Sequence, residues 1–354
     1  MVVETKKTPT QIAPEPPYAL LRASYSYTHC IGMNRISPSP VDIALGRRDN
    51  RIFVLSRGRF ATIFVNTWED EYPLPYPNIG SAGKGDGQMM WATAIQLDSE
   101  ENLFVCDEAL NRISKFSYEG EFLGKWGEEG EKEGQLNRPS GMVLDSEDNF
   151  YISDTFNHRI QKFTPEGEFI MSFGSFGHKP GEFNMPWGVE VDPWGYLWVV
   201  DWRNDRIQKF TAEGEFVTEI GSPGSGNGEF KRPSGVTVDL HGDIYVADRE
   251  NHRIQLFDRH GRYVEQFLGN GGISKSGIRY ISVHPGPLRQ RYEANLEALK
   301  LFISPMSVTV TDDFKMLVPD FGNARIQIFQ KEAYPLSEEE IRGPMRSRQL
   351  GTIQ

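Results

Sequence analysis

The stretch D-T-F-N-H-R-I-Q-K-F, Asp154 to Phe163, returns as D-W-R-N-D-R-I-Q-K-F from Asp201 and as D-R-E-N-H-R-I-Q-L-F from Asp248, at a constant spacing of 47 residues. A weaker copy begins at Asp107, also 47 residues before Asp154, and another, D-F-G-N-A-R-I-Q-I-F, begins at Asp320. A degenerate copy, R-G-R-F-A-T-I, begins at Arg57 and makes six. A fixed period of this size marks a chain built from one supersecondary unit repeated side by side. Each unit parses into four short strands, such as G-V-E-V-D, Y-L-W-V-V, R-I-Q-K-F and G-E-F-V-T-E-I, with apolar residues at alternate positions. The third and fourth are joined through Gly120, Gly167, Gly214 and Gly261, where glycine supplies the positive φ of a tight hairpin.

A four-stranded unit has two apolar faces and can cover neither alone, so neighbours stack against both, and a ring removes the exposed ends of the stack. The expected fold is all-β: a six-bladed β-propeller of four-stranded antiparallel blades. The sixth unit lacks a glycine turn and an outer strand after Phe329, and Leu20 to Tyr25 can supply that strand from the other end of the chain. The expected organisation is therefore an N-terminal arm over 1–17, a propeller over 18–334 and a tail over 335–354, with both ends loose. The period is broken once, between Gly269 and Pro305, by about 25 extra residues. Leu288, Tyr292, Leu296, Leu299 and Phe302 follow Pro285 and Pro287 at helical spacing, so an amphipathic helix is expected within an insertion over about 270–304, lying over or beside the channel mouth as a lid.

These motifs resemble the NHL-repeat family over roughly residues 80–330. The resemblance implies the propeller and leaves function open. Arg57 and Thr62 stand where the family pattern has Asp and Arg, which marks the first blade as a variant.

The formal net charge of -11 sets a field that repels nucleic acid and anionic membranes. Only Cys30 and Cys106 are present, and no apolar stretch approaches the roughly 18 residues a membrane helix needs. A cytoplasmic protein without disulfides, membrane contact or cofactor is expected.

Repetition separates scaffold from site. Asp107 with Arg112, Asp154 with Arg159, Asp201 with Arg206, Asp248 with Arg253 and Asp320 with Arg325 share one spacing and are read as structural pairs. His158 and His252 occupy a position that holds Asp205 and Ala324 elsewhere, which argues against a metal ligand. Cys106 reads as a small core filler, and D-S-E-D-N from Asp145 as a solvated turn.

Alternating strand direction places the loop entering each inner strand and the loop between the second and third strands on one face. The first set carries Trp91, Ser140, Trp187, Ser234 and Met306; the second carries Arg57, Phe156, Trp202, Arg203, Arg249 and Phe321. Trp91, Trp187, Trp202, Arg57, Arg203, Arg249 and His284 are the candidate ligand-binding residues, because aromatic and Arg groups around an axial mouth make binding anchors. The positions two places before the repeated inner-strand Asp are Gln96, Val143, Glu190 and Thr237, with Thr309 and Asp42 as their counterparts, and they are expected to face the channel. Glu190 and Asp42 are then axial carboxylates that burial could tune for acid–base catalysis.

The favoured function is a binding scaffold for a small anionic molecule, a peptide or a protein partner. The alternative is a metal-independent lyase or hydrolase that uses the channel carboxylates. The chain is more distantly similar to peptidyl-hydroxyglycine amidating lyases, through V-A-D-R-E-N-H-R-I-Q-L-F from Val246. That resemblance implies zinc-binding histidines near the axis, but Ser140, Trp187, Ser234 and Met306 stand at the matching positions, and His284 alone cannot make a three-ligand zinc site. An RNA-binding reading would use Arg57, Arg59, Arg203 and Arg249 and runs against the overall acidity.

Overall fold

A computed structural model of the protein describes residues 19–32, 38–58, 61–71, 75–284, 286, 289, 295–337 and 340. Alternating β-branched and aromatic residues between glycine turns form six antiparallel sheets. Blade 3 shows the common plan: Pro139–Leu144 innermost, then Phe150–Asp154, Arg159–Phe163 and Phe169–Phe173 at the rim. Blades 2, 4 and 5 repeat it. In blade 1 the described residues give three strands, Pro40–Leu45, Arg51–Ser56 and Thr62–Thr67, with a single bridge from Ile63 to Ile79 in place of the fourth.

Closure comes from the chain's beginning. In blade 6, Thr309–Val310, Lys315–Asp320 and Arg325–Pro335 are completed by Leu20–Ile31, which pairs antiparallel with Arg325–Pro335 over twice the length expected from Leu20–Tyr25. The clasp is sealed against blade 5. Lys331 Nζ donates to Asp239 at 2.5 Å and to Asp243 at 2.9 Å, Arg22 Nε donates to Asp243 at 2.7 Å, and Tyr245 Oη donates to Asp239 at 2.9 Å. Both carboxylates and the ammonium are buried, so each charge relies on the others.

The core lies between blades rather than within them. Phe104, Met142, Phe150 and Phe163 pack blade 2 onto blade 3, and Val143, Tyr151, Val189 and Phe210 pack blade 3 onto blade 4. The hairpin glycines serve this packing twice over. Gly214 has φ +84, and a Cβ there would sit 2.6 Å from the Phe173 ring of the preceding blade's outer strand. Gly195 has nearly the same φ, +85, with open space around it. Gly195→Ala is therefore expected to cost about 1 kcal/mol for backbone conformation alone. Gly214→Ala adds the displaced ring and should reach about 2–3 kcal/mol in urea unfolding. Equal costs would refute the packing role.

The repeated Asp–Arg pairs are built as expected in four blades. Asp201 accepts from the Asn184 amide, Asn204 Nδ2, Arg206 Nε and Gln208 Nε2, and Arg206 continues to the Lys179 and Glu182 carbonyls. Asp154, Asp248 and Asp320 repeat this pattern. Blade 2 corrects the expectation. Ser114 replaces the Gln, Asp107 turns to the Met90, Trp91, Ala109 and Leu110 amides, and Arg112 binds the Lys84, Gly85 and Gln88 carbonyls with Nε unpartnered among the described residues.

The position occupied by His158 and His252 is a staple between blades. Asn111, His158, Asp205 and His252 each accept a hydrogen bond from the amide of Arg138, Met185, Arg232 and Ser304 respectively, at 2.7–3.0 Å. Any side chain with an acceptor at that reach will serve, so three residue types alternate there in blades 2 to 5, whereas Ala324 in blade 6 has no side-chain acceptor to offer. Cys106 is fully buried, and burial pushes its thiol up. No helix among the described residues is long and apolar enough to cross a membrane.

The insertion departs from expectation. The α-helix is Lys275–Ser282, earlier than the predicted run, and it packs near the N-terminal strand, with the Ser276 amide and hydroxyl both donating to Asp70. Leu288 and Tyr292 lie outside the described residues. Leu296 and Leu299 are exposed around a short 3-10 turn, whereas Phe302 is buried between blades 5 and 6. Most of the expected arm over 1–17 and tail over 335–354 also falls outside the described residues.

Candidate functional site

The six inner strands surround an axial cavity of about 300 Å³. Of the six positions predicted to face it, Asp42, Gln96, Glu190, Thr237 and Thr309 do so. Val143 does not, because it turns into the core between blades 3 and 4, and Met142 lines the wall instead. Thr93, Ser140, Trp187, Ser234 and Ser307 form the upper wall and Arg47 lies among the lining at the end of the first blade's inner strand. Thr93 could have been found by counting 47 residues back from Ser140; Trp91, two places earlier, is not in the lining.

Asp42 belongs to blade 1 and Glu190 to blade 4, so in a ring of six they stand on opposite walls. Each keeps a small accessible surface toward the channel but is enclosed by protein, and the surrounding protein governs its ionisation. Burial pushes the Asp42 carboxyl up to about 6, against the Ile95 amide, which donates to it at 2.9 Å. Burial, and then the charge of Asp42, push Glu190 up to about 8; its hydrogen-bond partner is the Thr237 hydroxyl at 3.5 Å. Near neutral pH the pair therefore carries about one proton.

The loops expected at the mouth do share one face: the Phe156, Arg203 and Glu250 amides donate to the Asn137, Asn184 and Lys231 carbonyls of the entering loops. Trp187 and Trp202 meet with ring centroids 5.6 Å apart, and Arg203 and Arg232 lie over the Trp202 ring at 5.3 and 5.4 Å. Of the proposed anchors, only Trp187 lines the cavity. Trp91 is about half exposed beneath the Arg57 guanidinium, 4.6 Å from its ring. Arg57 is also paired with Glu108 at 2.6 Å, a carboxylate supplied by blade 2 where blade 1 lacks its own Asp. Arg249 is different: among the described residues its guanidinium has no ion pair or hydrogen bond. Burial and the positive charge of Arg57 both weaken its hold on its proton.

No described residue of 270–304 lines the cavity, the helix Lys275–Ser282 packs at the rim, and most of the run from Leu288 expected to form the lid lies outside the described residues. His284 is exposed just past the helix and outside the lining, and Arg59 lies outside the described residues. Among the described residues no group of three or more His, Cys, Asp or Glu could hold a metal ion.

Residues 136–163 and 230–257 match the NHL repeat model, each stretch running from the last residues before an inner strand to the end of the third. The fold is a six-bladed propeller, and two of its blades match the NHL repeat. No curated protein matches the chain in sequence. Among solved structures, the chain is similar to a catalytically inactive variant of virginiamycin B lyase from Staphylococcus aureus with quinupristin, at 13% identity and TM-score 0.56 over 89% of this chain and 90% of that one. It is also similar to an auxiliary nutrient binding protein from Bacteroides thetaiotaomicron, at 12% identity and TM-score 0.57 over 87% and 76%. A third is the WD40 β-propeller domain of Doa1, at 11% identity and TM-score 0.54 over 92% and 100%. At these identities the likeness concerns the fold alone.

Proposed function

We propose that this NHL propeller is a binding scaffold whose axial cavity takes a small ligand or the end of a peptide, entered past Trp187. The observation that carries this reading is the cavity itself: a concave, partly open space lined by all six inner strands, with a few polar groups converging on it and one indole among its lining. Arg249, outside the lining on the loop face of the mouth, is the anchor for an anionic group of the ligand, because among the described residues its guanidinium has no ion pair while Arg57 beside it is already paired with Glu108. Arg203 is exposed over Trp202 and contributes to the rim. Sodium butyrate serves as the carboxylate probe. Arg249→Ala should weaken its binding by about tenfold or more, the scale of a hydrogen bond to a charged group. The melting temperature should change little, since among the described residues the Arg249 guanidinium makes no hydrogen bond or ion pair. Unchanged affinity in this variant would remove Arg249 from the site.

The raised carboxylates favour a second reading, a metal-independent lyase or hydrolase in which protonated Glu190 acts as general acid and ionised Asp42 as base. It predicts turnover in a substrate screen that Glu190→Gln abolishes while the fold persists. A cytoplasmic location and a peptide or protein partner remain consistent with this scaffold as expectations, and RNA binding would require loss of affinity with rising salt.

A further inference from the structure

The charge inside the cavity is unbalanced. Asp42 and Glu190 face each other across the axis, and neither makes a salt bridge with any described residue, whereas the buried carboxylates of the scaffold, such as Asp201 and Asp239, each have a cation within 3 Å. Arg47 is the one basic residue in the lining, and its Nη2 is engaged by the Asp98 carbonyl at 2.6 Å. The rest of the polar wall consists of hydroxyl and amide groups able to accept hydrogen bonds: Thr93, Gln96, Thr237 and Thr309. Ser307 adds a hydroxyl beside Asp42, where it favours the charged carboxylate. The net charge of -11 draws cations toward the molecule.

We propose that the cavity seats the ammonium group of a primary or secondary amine between the Asp42 and Glu190 carboxylates. The inference rests on the axial cavity being the ligand pocket and names the chemistry of what enters it. An ammonium group brings two or three N–H donors and one positive charge, matching two carboxylates set among hydroxyl acceptors. A divalent metal ion is a poorer match, since hard cations gather six or more oxygen ligands and no group of three acidic or other ligating side chains is present among the described residues. The Trp187 ring at the edge adds a π face toward an approaching cation.

The proton balance gives the site a signature. Near neutral pH the pair retains one proton, so seating the ammonium ion expels it: the Glu190 carboxyl becomes a carboxylate facing the N–H donors, and its proton passes to the buffer. Besides Asp42, the charges facing Glu190 are Asp192, already met by Lys209 at 3.2 Å, and Arg47 within the lining.

The test is isothermal titration calorimetry of the full chain with n-butylammonium chloride, sodium butyrate and calcium chloride at pH 6, 7 and 8, in two buffers of different ionisation enthalpy. Butylammonium should bind, with affinity rising severalfold and up to about tenfold per pH unit as one proton is released. The heat should depend on the buffer. Glu190→Gln should weaken amine binding at pH 8 at least about tenfold and flatten the pH slope, while circular dichroism shows the fold intact. Absence of amine binding, an unchanged Glu190→Gln variant, or calcium binding that displaces the amine would overturn the proposal. If butyrate still binds and Arg249→Ala removes it, the ligand pocket stands and only the ammonium seat falls; if neither probe binds, both fail.

Discussion

Removing residues 1–31 is expected to abolish cooperative folding of the propeller. The strand Leu20–Ile31 is the whole outer edge of blade 6, and its loss bares the backbone donors and acceptors of Arg325–Pro335 along their length. It also uncovers Phe267, Phe302 and Phe329, which Tyr25 and Tyr27 help to cover, and takes Arg22 from the buried Asp243. Breaking a buried ion pair from one side costs about 3–5 kcal/mol, and a domain is stable by only about 5–15 kcal/mol before any apolar exposure is counted. Thermal unfolding followed by circular dichroism should show a broad, weak transition and binding of a hydrophobic dye at room temperature. A sharp transition within a few degrees of the intact chain would show that the ring closes without its clasp.

Glu190→Gln is expected to stabilise the protein at alkaline pH. The Glu190 carboxyl is held up at about 8 in the folded chain, against an ordinary value of 4.5. Between those limits the folded state holds a proton that the unfolded chain has released, so this group's contribution is full below about pH 4.5 and is lost as pH rises through 8. Each unit is worth about 1.4 kcal/mol, and with the carboxyl partly exposed toward the channel about 2–4 kcal/mol is the expected size. Asp42, raised to about 6, adds a smaller loss of the same sign at lower pH. The buried scaffold carboxylates Asp154, Asp201 and Asp248, also raised by burial, are common to both proteins and cancel in the comparison. Melting temperatures of the two proteins should agree near pH 5 and separate by pH 9, with the Gln variant higher. Parallel loss in both would mean that Glu190 ionises as freely as a surface carboxylate.

How much of the site was legible depended on what the repeat could index. Counting two places back from the repeated Asp found Glu190 and Asp42, because side chains alternate in a strand and the period carries that parity from blade to blade. It missed Thr93, which lies within the register break between Ala92 and Ala94, and it misplaced Val143, which keeps the register of Glu190 but, as an apolar side chain, packs into the core between blades 3 and 4. The staple made by Asn111, His158, Asp205 and His252 had a readable signal, since all four can accept a hydrogen bond, but its donors lie 27 residues ahead in three blades and 52 ahead at the insertion.

The 47-residue period by itself determined the architecture, since a two-faced sheet unit repeated six times has one way to bury both faces: side by side around an axis, with the last unit shared by the chain's two ends. Tertiary structure alone decided the charges. It gave Arg57 a partner from the next blade and left Arg249 without one among the described residues, and it placed two carboxylates from blades three apart on opposite walls of one channel. It also put the helix Lys275–Ser282 at the rim. Backbone periodicity is a local property that a linear pattern records, whereas the ionisation of a side chain depends on charges brought near it from distant parts of the chain, which only the closed ring arranges.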